Sequence, residues 1–110
     1  MTIEEIRKAL DSGIMVEYTA HCLKRMLERN ISRKDIIWCI YHGEIIEQYP
    51  LKPNNIFEKS VPCCLVLGTK SDNTTVIHVV VGYDKKKVLI ITGYYPNNEL
   101  WLFDRKTRGM

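Results

Sequence analysis

The sequence predicts a single α+β domain in which N-terminal helices pack on an antiparallel sheet of about four strands. Apolar residues recur at helical spacing through residues 1–43, whereas residues 44–103 change to Val- and Ile-rich runs bounded by turn residues. The chain has 110 residues, which is room for one hydrophobic core and therefore one domain. Helices followed by strands, rather than alternating with them, indicate two segregated layers.

Capping signals place the first two helices. Thr2 with Glu5 three residues later forms a capping-box signature, and Gly13 ends this first helix. Thr19 is the expected cap of a second helix that ends at Asn30, a residue that tolerates the left-handed conformation. Residues 14–18 between these helices are β-prone and predict only a brief extended segment.

Ser32 starts a third helix, DIIWCIYHG, which Gly43 closes. Trp38 and Tyr41 stand at helical spacing in it and are predicted to be core residues rather than a platform on which a base stacks. His42, beside the closing glycine, is expected to serve the helix C-terminus.

Four segments predict strands: EIIEQYP, CLVLGTK, TVIHVVVGY and KVLIITGYY. Pro50 and Pro53 open an irregular loop that runs to about Pro62 and separates the first two. The SDNT turn and the charged YDKKK tip join the later strands so tightly that they must be antiparallel.

The last hairpin predicts a polar patch on an apolar sheet. A three-residue loop that pairs Tyr83 with Lys87 sets the register and places His78 opposite Thr92. His78, Thr92 and Tyr94 then share one face. A slip of one residue would move the whole set, and the plain alternative is a buried histidine that is satisfied by Thr or Tyr.

The second helix separates apolar from cationic residues. Its apolar side is expected to pack on the sheet and consists of Leu23, Met26 and Leu27. A second row follows i, i+4, i+8 spacing and consists of His21, Arg25 and Arg29. The row is either a solvated face with ordinary salt bridges or an anion site, because the Arg fork suits phosphate geometry.

Charge and composition limit the classes of function. Sixteen Lys and Arg against thirteen Asp and Glu give a net charge of +3, compatible with RNA or an acidic partner. No apolar run is long enough to span a bilayer, and the N-terminus MTIEEIRKAL lacks the charge pattern of a signal peptide. We therefore expect a cytoplasmic protein that does not enter a membrane.

The four cysteines do not predict a metal site. There is no C-x-x-C, and the neighbouring Cys63 and Cys64 of a strand point to opposite faces. Cys22 and Cys39 also lie in apolar segments, so all four are expected in the core as free thiols. Phosphate-binding glycine loops and the G-x-S-x-G nucleophile motif are absent from the sequence.

Five segments stand in order along the chain: HCLKRMLERNIS, GEIIEQYP, CLVLG, IHVVVGYD and IITGYYPNNELW. Together they resemble the family catalogued as domain of unknown function 4258, over about residues 18–101. That family in turn resembles the RelE-like and BrnT-like toxins, in the wider group that contains barnase and colicin-type ribonucleases. The resemblance implies helices on a four-stranded antiparallel sheet, a RelE/BrnT-like two-layer sandwich. It also implies a metal-independent endoribonuclease that needs no cofactor, with RNA as substrate and an antitoxin protein as partner.

The family pattern H-x-x-x-R-x-x-x-R falls on His21, Arg25 and Arg29. The other matched positions are Gly43, Glu44, Tyr49, His78, Thr92 and Tyr95. Two departures are Asn30, where the family commonly has Gly, and the Cys pair before LVLG, whose role stays open.

This resemblance leads to a specific hypothesis for the site. His21 and His78 form the acid/base pair for attack of a ribose 2′-hydroxyl on the adjacent phosphate, and Arg25 and Arg29 stabilise the phosphorane. Substrate-binding residues are expected to be Tyr49, Thr92, Tyr94 and Tyr95. An anion is expected beside the two arginines, and no structural zinc.

The sequence is also compatible with two other functions. One is a non-catalytic module that binds RNA or a protein, which leads if the two histidines do not meet in one cleft. The other, weaker, is a metal-dependent enzyme that uses the three histidines of the chain, without a spaced carboxylate or Cys to complete the ligand set.

Overall fold

The structure is a computed structural model that describes residues 1–49 and 62–96. Its three helices are α1 (Ile3–Asp11), α2 (Ala20–Arg29) and α3 (Arg33–His42). Its five strands are β1 (Met15–Tyr18), β2 (Glu44–Tyr49), β3 (Cys63–Thr69), β4 (Val76–Tyr83) and β5 (Lys87–Tyr94). The predicted α+β class is confirmed. The predicted loop opened by Pro50 and Pro53, and the sheet part after residue 96, lie outside the described residues.

The helix ends follow the capping signals. The Thr2 hydroxyl accepts a hydrogen bond from the Glu5 amide (3.2 Å), and the Glu5 carboxylate accepts one from the Thr2 amide (3.0 Å). Ser32 and Asp35 form the same reciprocal pair at the start of α3. Asn30 ends α2 with φ of 57°, in the left-handed region, as predicted.

The strands form one mixed sheet in the order β1-β5-β4-β3-β2. The four predicted strands, β2 to β5, pair antiparallel, in agreement with the sequence. The brief extended segment becomes a fifth strand, because β1 pairs parallel with β5 and places Val16 opposite Val88. The Thr19 amide extends this pairing by donating a hydrogen bond to the Ile90 carbonyl (3.3 Å).

One side of the sheet, the helix face, packs against the helices, and we call the other side the outer face. Alternation of side chains along each strand assigns every strand residue to one of them. The core lies between helices and helix face and consists of buried residues that include Ile6, Cys22, Met26, Ile36, Cys39, Ile40, Cys64, Val66, Ile77, Val79, Val81, Val88 and Ile90. Leu65 and His78 alternate with these core residues and lie on the outer face, yet both are fully buried.

The predicted packing side of α2 is partly wrong. Met26 is buried as predicted, with 4% of its surface exposed, but Leu23 is 38% and Leu27 is 86% exposed. The helix instead turns Cys22 into the core and Arg29 toward β5. Contact with β5 therefore centres on these two residues and Met26, and it rotates the two leucines outward.

The predicted register of the β4–β5 hairpin is also wrong. Tyr83 pairs with Val88 rather than with Lys87. The reason lies in the turn, where the Asp84 carboxylate accepts hydrogen bonds from the amides of Lys86 (2.8 Å) and Lys87 (3.0 Å). This side-chain capture lengthens the turn by one residue.

A register shift between Val80 and Val81 moves the pairing by a further residue. His78 consequently lies opposite Tyr94, not opposite Thr92, which faces Val80. The longer turn and this register shift each move the pairing by one residue, two residues in total. An even shift leaves every side chain on its predicted side of the sheet. His78, Thr92 and Tyr94 still share one face of the sheet.

The junction of α3 and β2 is closely packed. A side chain at Gly43 would clash with backbone carbonyl oxygens of Leu67 and Cys39, the latter at 2.5 Å, so only glycine fits here. The Arg7 guanidinium of α1 donates hydrogen bonds to the carbonyls of Ile40 (2.9 Å) and Gly43 (2.7 Å). These bonds satisfy carbonyls at the end of α3 and tie α1 to it.

Candidate functional site

The predicted cationic row lies on α2 with its spacing intact. Thr19 caps the helix by accepting a hydrogen bond from the Cys22 amide (3.0 Å). His21 is exposed in the first turn. Arg25 follows one turn later and forms an ion pair with Glu28 (2.9 Å) on the same exposed surface. Part of the row is therefore a solvated face with a surface salt bridge, one of the two interpretations the sequence allows.

Arg29, the last member of the row, contacts the backbone of β5. Its guanidinium donates a hydrogen bond to the Gly93 carbonyl (2.9 Å), and the Tyr95 hydroxyl donates one to the Arg29 carbonyl (2.6 Å). The two bonds attach the end of α2 to the end of β5. Arg29 and Tyr95, both predicted site residues, thus have structural partners.

The predicted polar patch lies on the outer face. His78 is fully buried, and its Nδ1 lies 3.4 Å from the Tyr94 hydroxyl, with the two rings in an edge-to-face contact. Thr92 shares this face through its pairing with Val80. Tyr49 shares it as well, because it pairs with Cys63 and contacts Glu47 through its hydroxyl.

The eight predicted site residues therefore fall into two groups. Gly93 lies on the helix face of the sheet, because a Cβ atom at this position would lie 2.9 Å from the Ile36 side chain of α3. The next residue, Tyr94, consequently points to the outer face. The helix layer carries His21, Arg25, Arg29 and Tyr95, and the outer face carries Tyr49, His78, Thr92 and Tyr94. The structure does not bring His21 and His78 into one cleft.

Two carboxylates join the outer-face group. Glu44 pairs with Leu67 and Glu47 pairs with Leu65, so both share a face with His78. Residues three apart in a regular strand would point to opposite sides, but the register shift between Ile45 and Glu47 realigns them. The sequence carries no signal for this irregularity. The family pattern therefore includes Glu44 among its matched positions but does not include Glu47.

A surface depression on α3 was missed by the sequence analysis. It has a volume of about 410 Å³ and is lined by Arg33, Lys34, Ile37, Trp38, Tyr41 and His42. Trp38 and His42 stack with ring centroids 4.0 Å apart and planes at 26°. The prediction that Trp38 and Tyr41 are core residues is therefore wrong. Both are only half-buried and line the solvent-accessible side of α3.

Positive charge concentrates on the two helices that carry the row and the depression. From α2 through α3, residues 20–42 contain five Lys and Arg against two Asp and Glu, a net charge of +3 that equals the net charge of the whole chain. Of the two acids, Asp35 is buried and bonded to Ser32 and Ser71, and Glu28 is paired with Arg25. The exposed surface that α2 and α3 form is thus basic, whereas α1 carries three acids against two bases.

The described residues hold no group of three or more His, Cys, Asp or Glu side chains arranged for a metal ion. All four thiols are free and buried. Burial raises the pKa of Cys39 and of Cys64 to about 12, so both remain protonated and unreactive at neutral pH. None of the helices in the described ranges has the length and apolar character needed to cross a bilayer.

In the described residues, three helices, of which α2 and α3 carry the excess positive charge, pack on a mixed five-stranded sheet and define a small two-layer α+β domain. The family model described as Domain of unknown function (DUF4258) matches residues 18–95, from the end of β1 through β5. The chain belongs to this family, and α1 lies outside the matched part. No curated protein and no solved structure matches the chain.

Proposed function

We propose that the protein is an RNA-binding module that contacts the phosphate backbone with its helix layer. The observation that carries this proposal is the concentration of the net charge of the chain on α2 and α3. Backbone phosphates supply most of the affinity in non-specific nucleic-acid binding, and exposed Lys and Arg are the groups that bind them. His21 and His42 are exposed on the same layer, where an imidazole N–H can donate a hydrogen bond to a phosphate oxygen.

RNA, rather than DNA, is chosen because of the resemblance to the RelE-like and BrnT-like ribonuclease toxins, which is itself part of the proposal. The separation of the two histidines favours binding over cleavage. General acid and base must both reach one phosphate, but His78 lies on the outer face without exposed surface.

The proposal is tested by measuring the affinity of the full chain for a fluorescently labelled 12-nucleotide single-stranded RNA at several salt concentrations. Lys24→Ala, on the exposed side of α2, should weaken binding several-fold and reduce the salt slope by about one. Lys86→Ala is the matched control, because it removes the same charge at the exposed hairpin tip. Equal effects of the two variants, or tighter binding of duplex DNA than of RNA, would contradict the proposal.

A metal-independent endoribonuclease is the second candidate, and the exposure of His21 one turn from Arg25 favours it. His21 would take the proton from the ribose 2′-hydroxyl, whose oxygen attacks phosphorus. The bond from phosphorus to the 5′-oxygen would break, the 5′-oxygen would take up a proton from solvent water, and a 2′,3′-cyclic phosphate would remain. Arg25 would stabilise the charge that develops on the phosphate. An antitoxin partner belongs to this candidate alone.

Cleavage in the presence of a chelator, with free and ribosome-bound RNA, tests this second candidate. His21→Ala should lower the rate by about 10²–10⁴-fold without a change in stability. His78→Ala should destabilise the fold, because it removes a fully buried ring from the outer face. If wild-type protein leaves both RNAs intact across a broad pH range, the ribonuclease hypothesis fails and the binding proposal is unaffected.

A further inference from the structure

We propose that the depression on α3 is a nucleotide site, which stacks one base of single-stranded RNA on the Trp38–His42 pair and binds the adjacent phosphate with Lys34 and Arg33. This inference rests on the proposed RNA binding and names where the base is held. Neither the cationic row nor the outer-face patch includes these residues.

The aromatic pair provides a surface for a base. Trp38 and His42 are one helical turn apart, and their rings are stacked with centroids 4.0 Å apart. His42 Nδ1 lies 3.1 Å from the Trp38 carbonyl oxygen, which fixes the imidazole ring. Every base has a π-face, so such a surface stacks bases without reading their sequence.

The indole of Trp38 has no hydrogen bond to hold it. Its Nε1 is buried and is the one side-chain nitrogen or oxygen among the described residues that is both buried and without a partner. Buried indole N–H groups usually find an acceptor. The donor is buried, so a ligand in the depression would satisfy it only if a rotation of the ring brought Nε1 to an acceptor on that ligand.

Charge selects the ligand. Arg33 and Lys34 are the charged residues of the lining, and both are basic. The Arg33 guanidinium lies 5.1 Å from the centroid of the Tyr18 ring, which orients it. Of the nearby carboxylates, Asp35 is buried and bonded to two serines. Asp11 keeps its negative charge and accepts a hydrogen bond from the hydroxyl of the lining residue Tyr41, so the two basic residues outnumber it at the depression. An anionic, aromatic ligand fits this combination better than an acidic or aliphatic peptide.

The size of the depression also favours a nucleotide. Small-molecule sites have volumes of roughly 300–1,000 Å³, and the depression, about 410 Å³, lies at the lower end of that range. All six lining residues belong to one helix, so the surface is short. It suits one nucleotide of a longer strand, not an extended helix of a protein partner.

The test follows the fluorescence of Trp38. The chain has two tryptophans, so Trp101→Phe leaves Trp38 as the sole indole. Titration with a 12-nucleotide oligouridylate should quench its emission to saturation, whereas an abasic ribose-phosphate strand of equal length should leave it nearly unchanged. Quenching by both strands, or by neither while RNA binds, overturns the inference.

Affinity measurements on variants complete the test. Trp38→Leu should weaken RNA binding about tenfold and Trp38→Phe much less, because phenylalanine retains a stacking face. Leu27→Ala is the matched control, since Leu27 is an exposed apolar residue of the neighbouring helix. If Lys24→Ala weakens binding but Trp38→Leu does not, only this inference fails. If the wild-type chain binds no RNA, the proposed function fails with it.

Discussion

The guanidinium of Arg29 donates a hydrogen bond to the carbonyl oxygen of Gly93 and so joins the end of α2 to β5. The bond gives a structural role to a residue that the family pattern places in the site. It accompanies an orientation of α2 in which Cys22 and Met26 are buried beside Arg29, whereas Leu23 and Leu27 are exposed. A loss of activity in an Arg29 variant can therefore arise from the fold alone.

Replacement of this arginine is expected to destabilise the protein. Arg29→Ala should lower the free energy of unfolding by about 1–3 kcal/mol, because it removes a charged donor from a partly buried carbonyl. Arg25→Ala should change it by less than about 0.5 kcal/mol, since the Arg25–Glu28 pair is exposed. Urea denaturation of both variants checks the contrast, and equal losses would contradict it.

Asp35 should make stability depend on pH. Burial raises its pKa, but hydrogen bonds from Ser32 and Ser71 outweigh this and lower it to about 2. Because the folded-state pKa lies below the unfolded one, ionised Asp35 stabilises the fold above about pH 4 by about 2 kcal/mol. This stabilisation is lost as pH falls from about 4 toward 2. In Asp35→Asn, the free energy of unfolding should fall less steeply with pH over that interval than it does in the wild type. Denaturation at several pH values measures both slopes, and equal slopes would count against the assignment.

Two glycines should respond differently to alanine. Gly43→Ala should cost more than about 3 kcal/mol, because the new methyl group meets backbone carbonyls that cannot move without separating α3 from β3. At Gly13 a new methyl group meets open space, so Gly13→Ala should lower the free energy of unfolding by only about 1 kcal/mol, because alanine disfavours the positive φ of 82°. Thermal unfolding of the two variants checks the order, and a smaller loss at Gly43 would be inconsistent with the close packing.

The buried and exposed faces of α2 should differ in how strongly an alanine substitution destabilises the fold. Met26→Ala should lower the free energy of unfolding by about 2–4 kcal/mol, because it leaves a cavity in the core. Leu27→Ala should lie within about 0.5 kcal/mol of wild type, since that side chain is largely in solvent. Chemical denaturation measures both, and the reverse order would restore the packing that the sequence predicts.

The buried thiols should be unreactive in the native protein. With the pKa of Cys39 and Cys64 raised to about 12 by burial, only about one thiol in ten thousand is ionised at pH 8. Alkylation followed by peptide mass spectrometry should find both unmodified under native conditions and labelled in denaturant. Rapid native labelling of either cysteine would show that it is not buried.

Local signals determined which features were predictable. Capping by Thr2 and Ser32, and the left-handed Asn30, involve residues within one helical turn, so the sequence defines them. The alternation of His78 with valines likewise predicts that it shares a face with Thr92 and Tyr94. The shared face survives even though the pairing differs by two residues.

Features that depend on distant contacts were not predictable. Alternation defines two sides of a sheet but not which one the helices cover, so the sequence could not separate His21 from His78. The register shift in β2 is likewise set by three-dimensional pairing. The side-chain capture by Asp84 is local, since it joins residues two and three apart, but the prediction of a three-residue loop does not include it. The half-buried position of Trp38 depends on which side of α3 meets β3, and that choice has no local signal.

The parallel pairing of β1 with β5 affects how the chain can fold during synthesis. Thr19, which follows β1, contacts Ile91 across a separation of 72 residues. Until β5 has left the ribosome, the nascent β1 lacks the strand with which it pairs, and α2 lacks the strand against which Cys22 and Met26 pack. Contacts over such sequence distances slow folding, since a long loop must close first. The segments β1 and α2 should therefore acquire protection from hydrogen exchange late, together with β5, and not in their order of translation.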